Sequence, residues 1–209
     1  MNRGMNVQRL KEAEAAFLER FPLGFIDPGM APIRKRHNVD KLAEFAGENL
    51  NPLAFSRPQE FADLLIRIIG RSSMVSRFEK APFREFINSL SSKDKRRLAD
   101  AFEKRLVGRR KRAGFDEIVA ILARGKLARW SLVSAIPFYF APKREAFVKP
   151  TTAKKIITLL EIEDLDYHSR PTWEFYDGYR KLILEIKQLI DPSLTPNNAA
   201  ITGLLMFAL

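Results

Sequence analysis

The chain has 209 residues, of which 46% are hydrophobic and none is a cysteine. This length and apolar content suffice to bury the core of a domain, and the missing cysteines exclude disulfides, thiolate catalysis and cysteine-ligated zinc. Lys and Arg exceed Asp and Glu by 11, which favours polyanionic partners: nucleic acid first, an anionic membrane surface second. Charged residues interrupt the segment 1–18, so we expect no signal sequence. The longest apolar run, 204–209, is too short to cross a bilayer, so we expect a cytoplasmic protein without a transmembrane segment.

The first quarter of the chain predicts two helices joined by a loop. Apolar residues recur at helical spacing after Asn6, a favourable N-cap. Residues 22–37 are rich in Pro and Gly and end in a basic run, so they predict a loop, and the N-terminal arm 1–37 is a candidate for separate packing. Asn38 is expected to cap the second helix.

Five further helices are predicted between residues 56 and 137. The first carries the clearest signals, because Ser56 and Gln59 have the spacing of a capping box and an apolar stripe follows them. The predicted helix starts are Ser56, Pro82 and Ser92, and the predicted helix ends are Gly70, Gly108 and Pro137.

The last third of the chain predicts three helices after an irregular aromatic stretch at 138–150. Thr151 and Thr172 begin two of them, and a short apolar helix closes the chain. Only Ala135 to Phe140 permits a short extended segment, and no repeat is present. We therefore predict that residues 1–209 form one all-α domain of about eight to ten helices, in an orthogonal or irregular bundle.

The strongest compositional feature is the basic segment from Lys93 to Arg112. It holds ten basic and three acidic residues, a local net charge of +7. Such a surface binds a phosphate backbone by displacing counterions, without reading sequence. The candidate polyanion-binding residues are Lys93, Arg97, Lys104, Arg109, Arg110, Lys111 and Arg112.

Part of this charge has a candidate partner within the same helix. Lys93, Arg97 and Lys104 share one helical face, and Asp100 is spaced to pair with the last two of them. Residues 109–112 have no such partner and are expected to form a flexible basic loop, so they carry more of the prediction than the helical face does.

A second candidate site is aromatic. Tyr139, His168, Trp173 and Tyr176 are candidates for a pocket, although aromatic residues at helical spacing more often belong to a core. The acidic residues that precede His168 have no metal-site spacing, and we interpret them as a polar loop. No metal or other cofactor is predicted.

Phosphate-binding loops, nucleophile elbows and kinase motifs are absent, which favours a non-enzymatic role. The favoured function is a non-catalytic basic module that binds nucleic acid or another polyanion. One alternative is an interaction or oligomerisation scaffold that uses the apolar C-terminal helix. The other is an enzyme with an aromatic-lined pocket around His168 or Tyr176.

Two patterns in the second half, Phe147-Val148-Lys149-Pro150 and Arg170-Pro171-Thr172-Trp173-Glu174-Phe175-Tyr176, carry a resemblance. They are similar to a group of uncharacterised bacterial helical proteins that share an F-x-K-P and an R-P-x-W-E-x-Y helix start; the resemblance implies no activity. Phe147 to Leu160 also resembles, more distantly, the segment in which helix-hairpin-helix DNA glycosylases place a catalytic Asp. No Asp stands there and the Gly-rich hairpin is missing, so glycosylase chemistry is not implied.

Overall fold

The computed structural model describes residues 4–207, and all regular structure in this range is helical. Three 3₁₀ helices, Gly24–Ile26, Pro28–Met30 and Pro192–Leu194, accompany the α-helices. The α-helices are α1 (Val7–Arg20), α2 (Ala31–His37), α3 (Val39–Asn49), α4 (Pro52–Ser56), α5 (Pro58–Arg71), α6 (Arg77–Ser89), α7 (Ser92–Leu106), α8 (Lys111–Arg124), α9 (Trp130–Phe140), α10 (Pro150–Leu159), α11 (Trp173–Leu189) and α12 (Asn198–Phe207).

The all-α prediction is confirmed, but the predicted count of eight to ten helices is too low, since residues 4–207 form twelve. The two additional helices are α2, which occupies the predicted loop at 22–37, and α4. Each has a proline in its first turn, Pro32 and Pro52. Proline is pre-organised for that position, so a residue that resembles a loop signal instead begins a helix.

The predicted capping box at Ser56 is wrong. Helix α5 begins without a side-chain cap, and the Ser56 hydroxyl donates to the carbonyl of Leu53 at 2.7 Å. A complete capping box occurs at Ser76 and Glu79, where α6 starts five residues before the predicted Pro82. Asn6 and Thr172 do cap α1 and α11 through their side chains, as predicted.

Helix α9 forms the centre of the fold. Residues 130–139 are all buried, and the helix packs against α3, α5, α7 and α8. A helix that is apolar on every side is stable in water only when it is enclosed in this way. The packing also stabilises the helix beyond Pro137, where the sequence predicts that it ends. The extended alternative for residues 135–140 is therefore wrong, and the helices surround a central one instead of forming an orthogonal bundle.

The first and last helices, α1 and α12, meet in the same core. Phe17 of α1 lies 5.5 Å from Phe207 of α12, measured between ring centroids. Helix α12 also packs against α10 and α11, and its residues Ile201, Leu204 and Leu205 are fully buried. The chain's own helices therefore cover most of the apolar surface that suggested an oligomer contact. Between residues 4 and 207, no helix has the length and apolar character needed to cross a bilayer.

Candidate polyanion-binding surface

Helices α7 and α8 form an antiparallel hairpin that carries every candidate polyanion-binding residue. Ser91 caps α7, one residue before the predicted Ser92. At the open end, both guanidinium nitrogens of Arg124 donate to Asp94, at 2.7 and 3.0 Å. These bonds, with one from Ser91, lower the pKa of Asp94 to about 2. The pair fixes the last turn of α8 beside the first turn of α7.

The two helix backbones approach closely at Gly114 of α8. A Cβ atom at this position would lie 2.5 Å from the carbonyl oxygen of Ala101 and 2.6 Å from the backbone nitrogen of Arg105. Only glycine fits there without a shift of one helix. This contact, together with the apolar residues on the inner face of α7, sets the position of the connecting turn and its charges.

The middle of the predicted basic face forms ion pairs with a carboxylate of the neighbouring helix. Glu117 of α8 lies 3.5 Å from the Arg97 guanidinium and 3.3 Å from the Lys104 ammonium. Asp100, the predicted partner, instead lies 3.8 Å from Arg96. The sequence correctly indicates compensation on this face, but the carboxylates that supply it are Glu117 of α8 and Asp94 of α7, which lies 3.9 Å from Arg97.

The connecting turn keeps its positive charge. Arg109, Arg110 and Lys111, here called the turn cluster, are exposed, and none pairs with a carboxylate within the described part of the chain. Arg112, next to them, pairs with Asp116 at 3.7 Å and with Glu174 at 2.5 Å. Lys93 is also exposed and unpaired among residues 4–207, but it lies at the opposite end of α7.

The turn cluster lies only partly in the loop that the sequence predicts at 109–112, because helix α8 begins at Lys111. Arg110 is the N-cap residue of α8, and Lys111 and Arg112 occupy its first turn. That turn contains no acidic residue, and no side chain caps it. Because the N-terminus of a helix is the positive end of its dipole, three cations there raise the local positive potential further.

Arg105, one of the ten basic residues in the segment, is not on the surface. Its side chain is 1% exposed, and its guanidinium donates to both carboxylate oxygens of Glu145, at 3.2 and 2.8 Å. Tyr176 donates to the same carboxylate at 2.9 Å. The guanidinium carbon of Arg105 also lies 5.4 Å from the ring centroid of Trp173 and 5.0 Å from that of Tyr176.

This buried pair is a structural element that the sequence reasoning missed. Burial would raise the pKa of Glu145, but the hydrogen bonds and charge of Arg105 outweigh it and lower that pKa. A signal was available, because Arg105 follows Phe102 by three residues and therefore lies on the apolar face of α7. With its oxygens occupied, Glu145 serves to hold α7, α11 and the segment before α10 together.

The four pocket candidates do not surround one cavity. Tyr139 and Tyr176 are fully buried, and Tyr139 forms a hydrogen bond of 2.9 Å with Ser72. Trp173 is half-buried against Phe115. His168 is exposed and borders an open depression of about 370 Å³ that neither tyrosine lines. No group of three or more His, Asp or Glu residues suited to a metal ion occurs between residues 4 and 207.

Comparisons of the chain with protein-family models, with curated proteins and with solved structures found no match. The two sequence patterns lie at the starts of α10 and α11. In the second pattern, Trp173 and Tyr176 contact Arg105. Part of that pattern thus packs against the buried ion pair.

Proposed function

We propose that this protein is a non-catalytic module that binds nucleic acid through the turn cluster. The observation that supports this most directly is the contrast within the hairpin. Arg97 and Lys104 pair with Glu117, and Arg97 also pairs with Asp94, whereas Arg109, Arg110 and Lys111 are exposed and have no ion pair among residues 4–207. Phosphate groups supply the missing negative charge.

The position of the turn cluster also favours phosphate over other charged partners. Free backbone N–H groups and the positive end of the helix dipole lie beside three cationic side chains. Three exposed, unconstrained cations supply charge without a rigid pattern of donors, so we expect binding that depends on charge and little on base sequence. Lys93 lies about 20 Å away along α7 and contributes only to a ligand long enough to span the hairpin.

Fluorescence anisotropy with labelled single-stranded and duplex oligonucleotides at low salt tests the proposal. The test variant carries Arg109→Ala, Arg110→Ala and Lys111→Ala. The control variant carries Arg57→Ala, Arg84→Ala and Lys155→Ala, which removes the same charge from exposed positions elsewhere. We expect the turn variant to lose at least about tenfold in affinity, because three phosphate contacts disappear.

The control variant is expected to stay within about threefold of the wild type, since its cations act only through the net charge. Two results contradict the proposal: wild-type protein that does not bind either oligonucleotide at low salt, or a turn variant that binds as tightly as the control variant.

A further inference from the structure

Only some of the apolar side chains in the segment 22–37, here called the α2 segment, are buried in the core. Phe25 and Met30 are buried, and the Phe25 ring lies 5.0 Å from that of Phe17. Gly24 has a φ of +61°, and a Cβ atom there would lie 2.6 Å from the Ser193 hydroxyl. The segment is therefore anchored in a fixed orientation against α1 and the 3₁₀ helix Pro192–Leu194.

Other aliphatic side chains of this segment face outward. Leu23 is 55% exposed, Ile26 71% and Ile33 46%. Leu23 and Ile26 lie three residues apart across a 3₁₀ turn, a spacing that brings side chains to the same side. Helix α2 itself has no buried residue. Packing within the chain does not account for these aliphatic positions.

Cations flank the exposed aliphatic residues. Arg34 donates to the backbone carbonyls of Phe25 and Asp27, which ties α2 to the preceding turn without neutralising the guanidinium. Lys35 and Arg36 are exposed and have no ion pair in the described range 4–207.

The single carboxylate of this segment is hydrogen-bonded within the segment itself. Asp27 is the sole carboxylate of residues 22–37. Its oxygens accept hydrogen bonds from the backbone N–H groups of Gly29, at 2.8 Å, and Leu23, at 3.4 Å. Burial, followed by the charges of Arg36 and Lys149, lowers the pKa of the neighbouring His37.

We propose that the α2 segment is a docking surface for an anionic lipid bilayer, separate from the turn cluster. Leu23, Ile26 and Ile33 enter the boundary between headgroups and acyl chains, while Lys35 and Arg36 meet the anionic headgroups. A nucleic acid backbone would use the two cations but would gain nothing from the exposed aliphatic side chains. The combination of both therefore favours a lipid surface over a nucleic acid.

Vesicle flotation with the full chain tests this proposal. One set of vesicles contains phosphatidylcholine alone, and the other contains phosphatidylcholine and phosphatidylglycerol in equal parts. The wild type is expected to float with the anionic vesicles only. We expect Leu23→Ser/Ile26→Ser/Ile33→Ser and Lys35→Gln/Arg36→Gln each to weaken this binding by about tenfold or more.

The matched control is Leu53→Ser/Phe78→Ser, which removes apolar side chains that are 57% and 74% exposed elsewhere. It should bind anionic vesicles like the wild type, and all variants should keep the thermal unfolding midpoint because the altered side chains are exposed. The aliphatic variant should also keep oligonucleotide binding, which separates this surface from the turn cluster.

Three results overturn the proposal. Vesicle binding by the aliphatic variant that equals that of the wild type would mean that charge alone acts. Absence of vesicle binding, with oligonucleotide affinity lost in Lys35→Gln/Arg36→Gln, would assign the segment to nucleic acid. A wild-type dimer that the aliphatic substitutions dissociate, without vesicle binding, would assign it to a second copy of the chain.

Discussion

Arg105 belongs to the basic segment in the sequence but not to the basic surface of the folded protein. Within the basic run it resembles its neighbours, yet its side chain is buried against Glu145. The helical spacing from Phe102 indicates an inward direction, but nothing in the sequence identifies the partner, which is 40 residues away. The inward direction of the Arg105 side chain was thus predictable, whereas its ion pair with Glu145 was not.

Replacing Glu145 with Gln is expected to lower the free energy of unfolding by about 3–5 kcal/mol, because it leaves the buried Arg105 guanidinium without a charged partner. Urea denaturation measures this change. The control Asp116→Asn alters an exposed pair with Arg112 and should cost at most about 1 kcal/mol. Equal losses in the two variants would contradict a structural role for the buried pair.

The same pair predicts a pH dependence. The folded-state pKa of Glu145 lies below its ordinary value, because the effect of Arg105 outweighs that of burial. Its stabilising contribution is therefore complete above the unfolded-state pKa and is lost as the pH falls through the folded-state pKa. Glu145→Gln should flatten the acid side of the stability profile; an unchanged slope would show that other carboxylates determine it.

Two buried tyrosines offer a matched comparison of hydrogen bonding. The Tyr139 hydroxyl bonds to Ser72 at 2.9 Å, whereas the Tyr179 hydroxyl is buried without a partner among residues 4–207. We expect Tyr139→Phe to lower the free energy of unfolding by about 1 kcal/mol and Tyr179→Phe to leave it unchanged or raise it. Thermal denaturation distinguishes the two; a larger loss for Tyr179→Phe would contradict the described bonding.

At the scale of helices, long amphipathic elements were predictable and proline-marked boundaries were not. The apolar stripe of α5 and the Thr172 cap of α11 follow from local spacing. The sequence predicts boundaries at Pro82 and Pro137, yet both lie inside helices. Helix α6 starts before Pro82 at the Ser76–Glu79 capping box, which is a local signal. At Pro137, by contrast, the tertiary packing around α9 outweighs the lost backbone hydrogen bond.

The α7–α8 contact gives a prediction at this scale. Gly114→Ala places a methyl group 2.5 Å from a backbone oxygen of α7, so it should destabilise the protein by about 1–3 kcal/mol. Gly47→Ala in α3 meets open space and should stabilise by about 0.5–1 kcal/mol. Chemical denaturation compares them, and a neutral Gly114→Ala would mean that the hairpin tolerates a wider separation.

At the scale of the molecule, the net charge of +11 is a poor guide to a binding surface by itself. Glu117 pairs with two cations of the predicted basic face, and Glu145 pairs with a buried one. The unpaired charge of the turn cluster was predictable because the run 109–112 contains no acid, but its place at a helix N-terminus was not. Only the folded chain shows which cations remain for a partner.

The salt dependence of oligonucleotide binding tests the central claim most directly. Each phosphate neutralised adds about 0.7–0.9 to the steepness of a plot of log affinity against log salt concentration. If Arg109, Arg110 and Lys111 each neutralise a phosphate, the plot for their triple alanine variant should be less steep than the wild-type plot by about 2–3. The Arg57, Arg84 and Lys155 variant should keep the wild-type slope. Parallel plots for the wild type and the turn variant would contradict the claim.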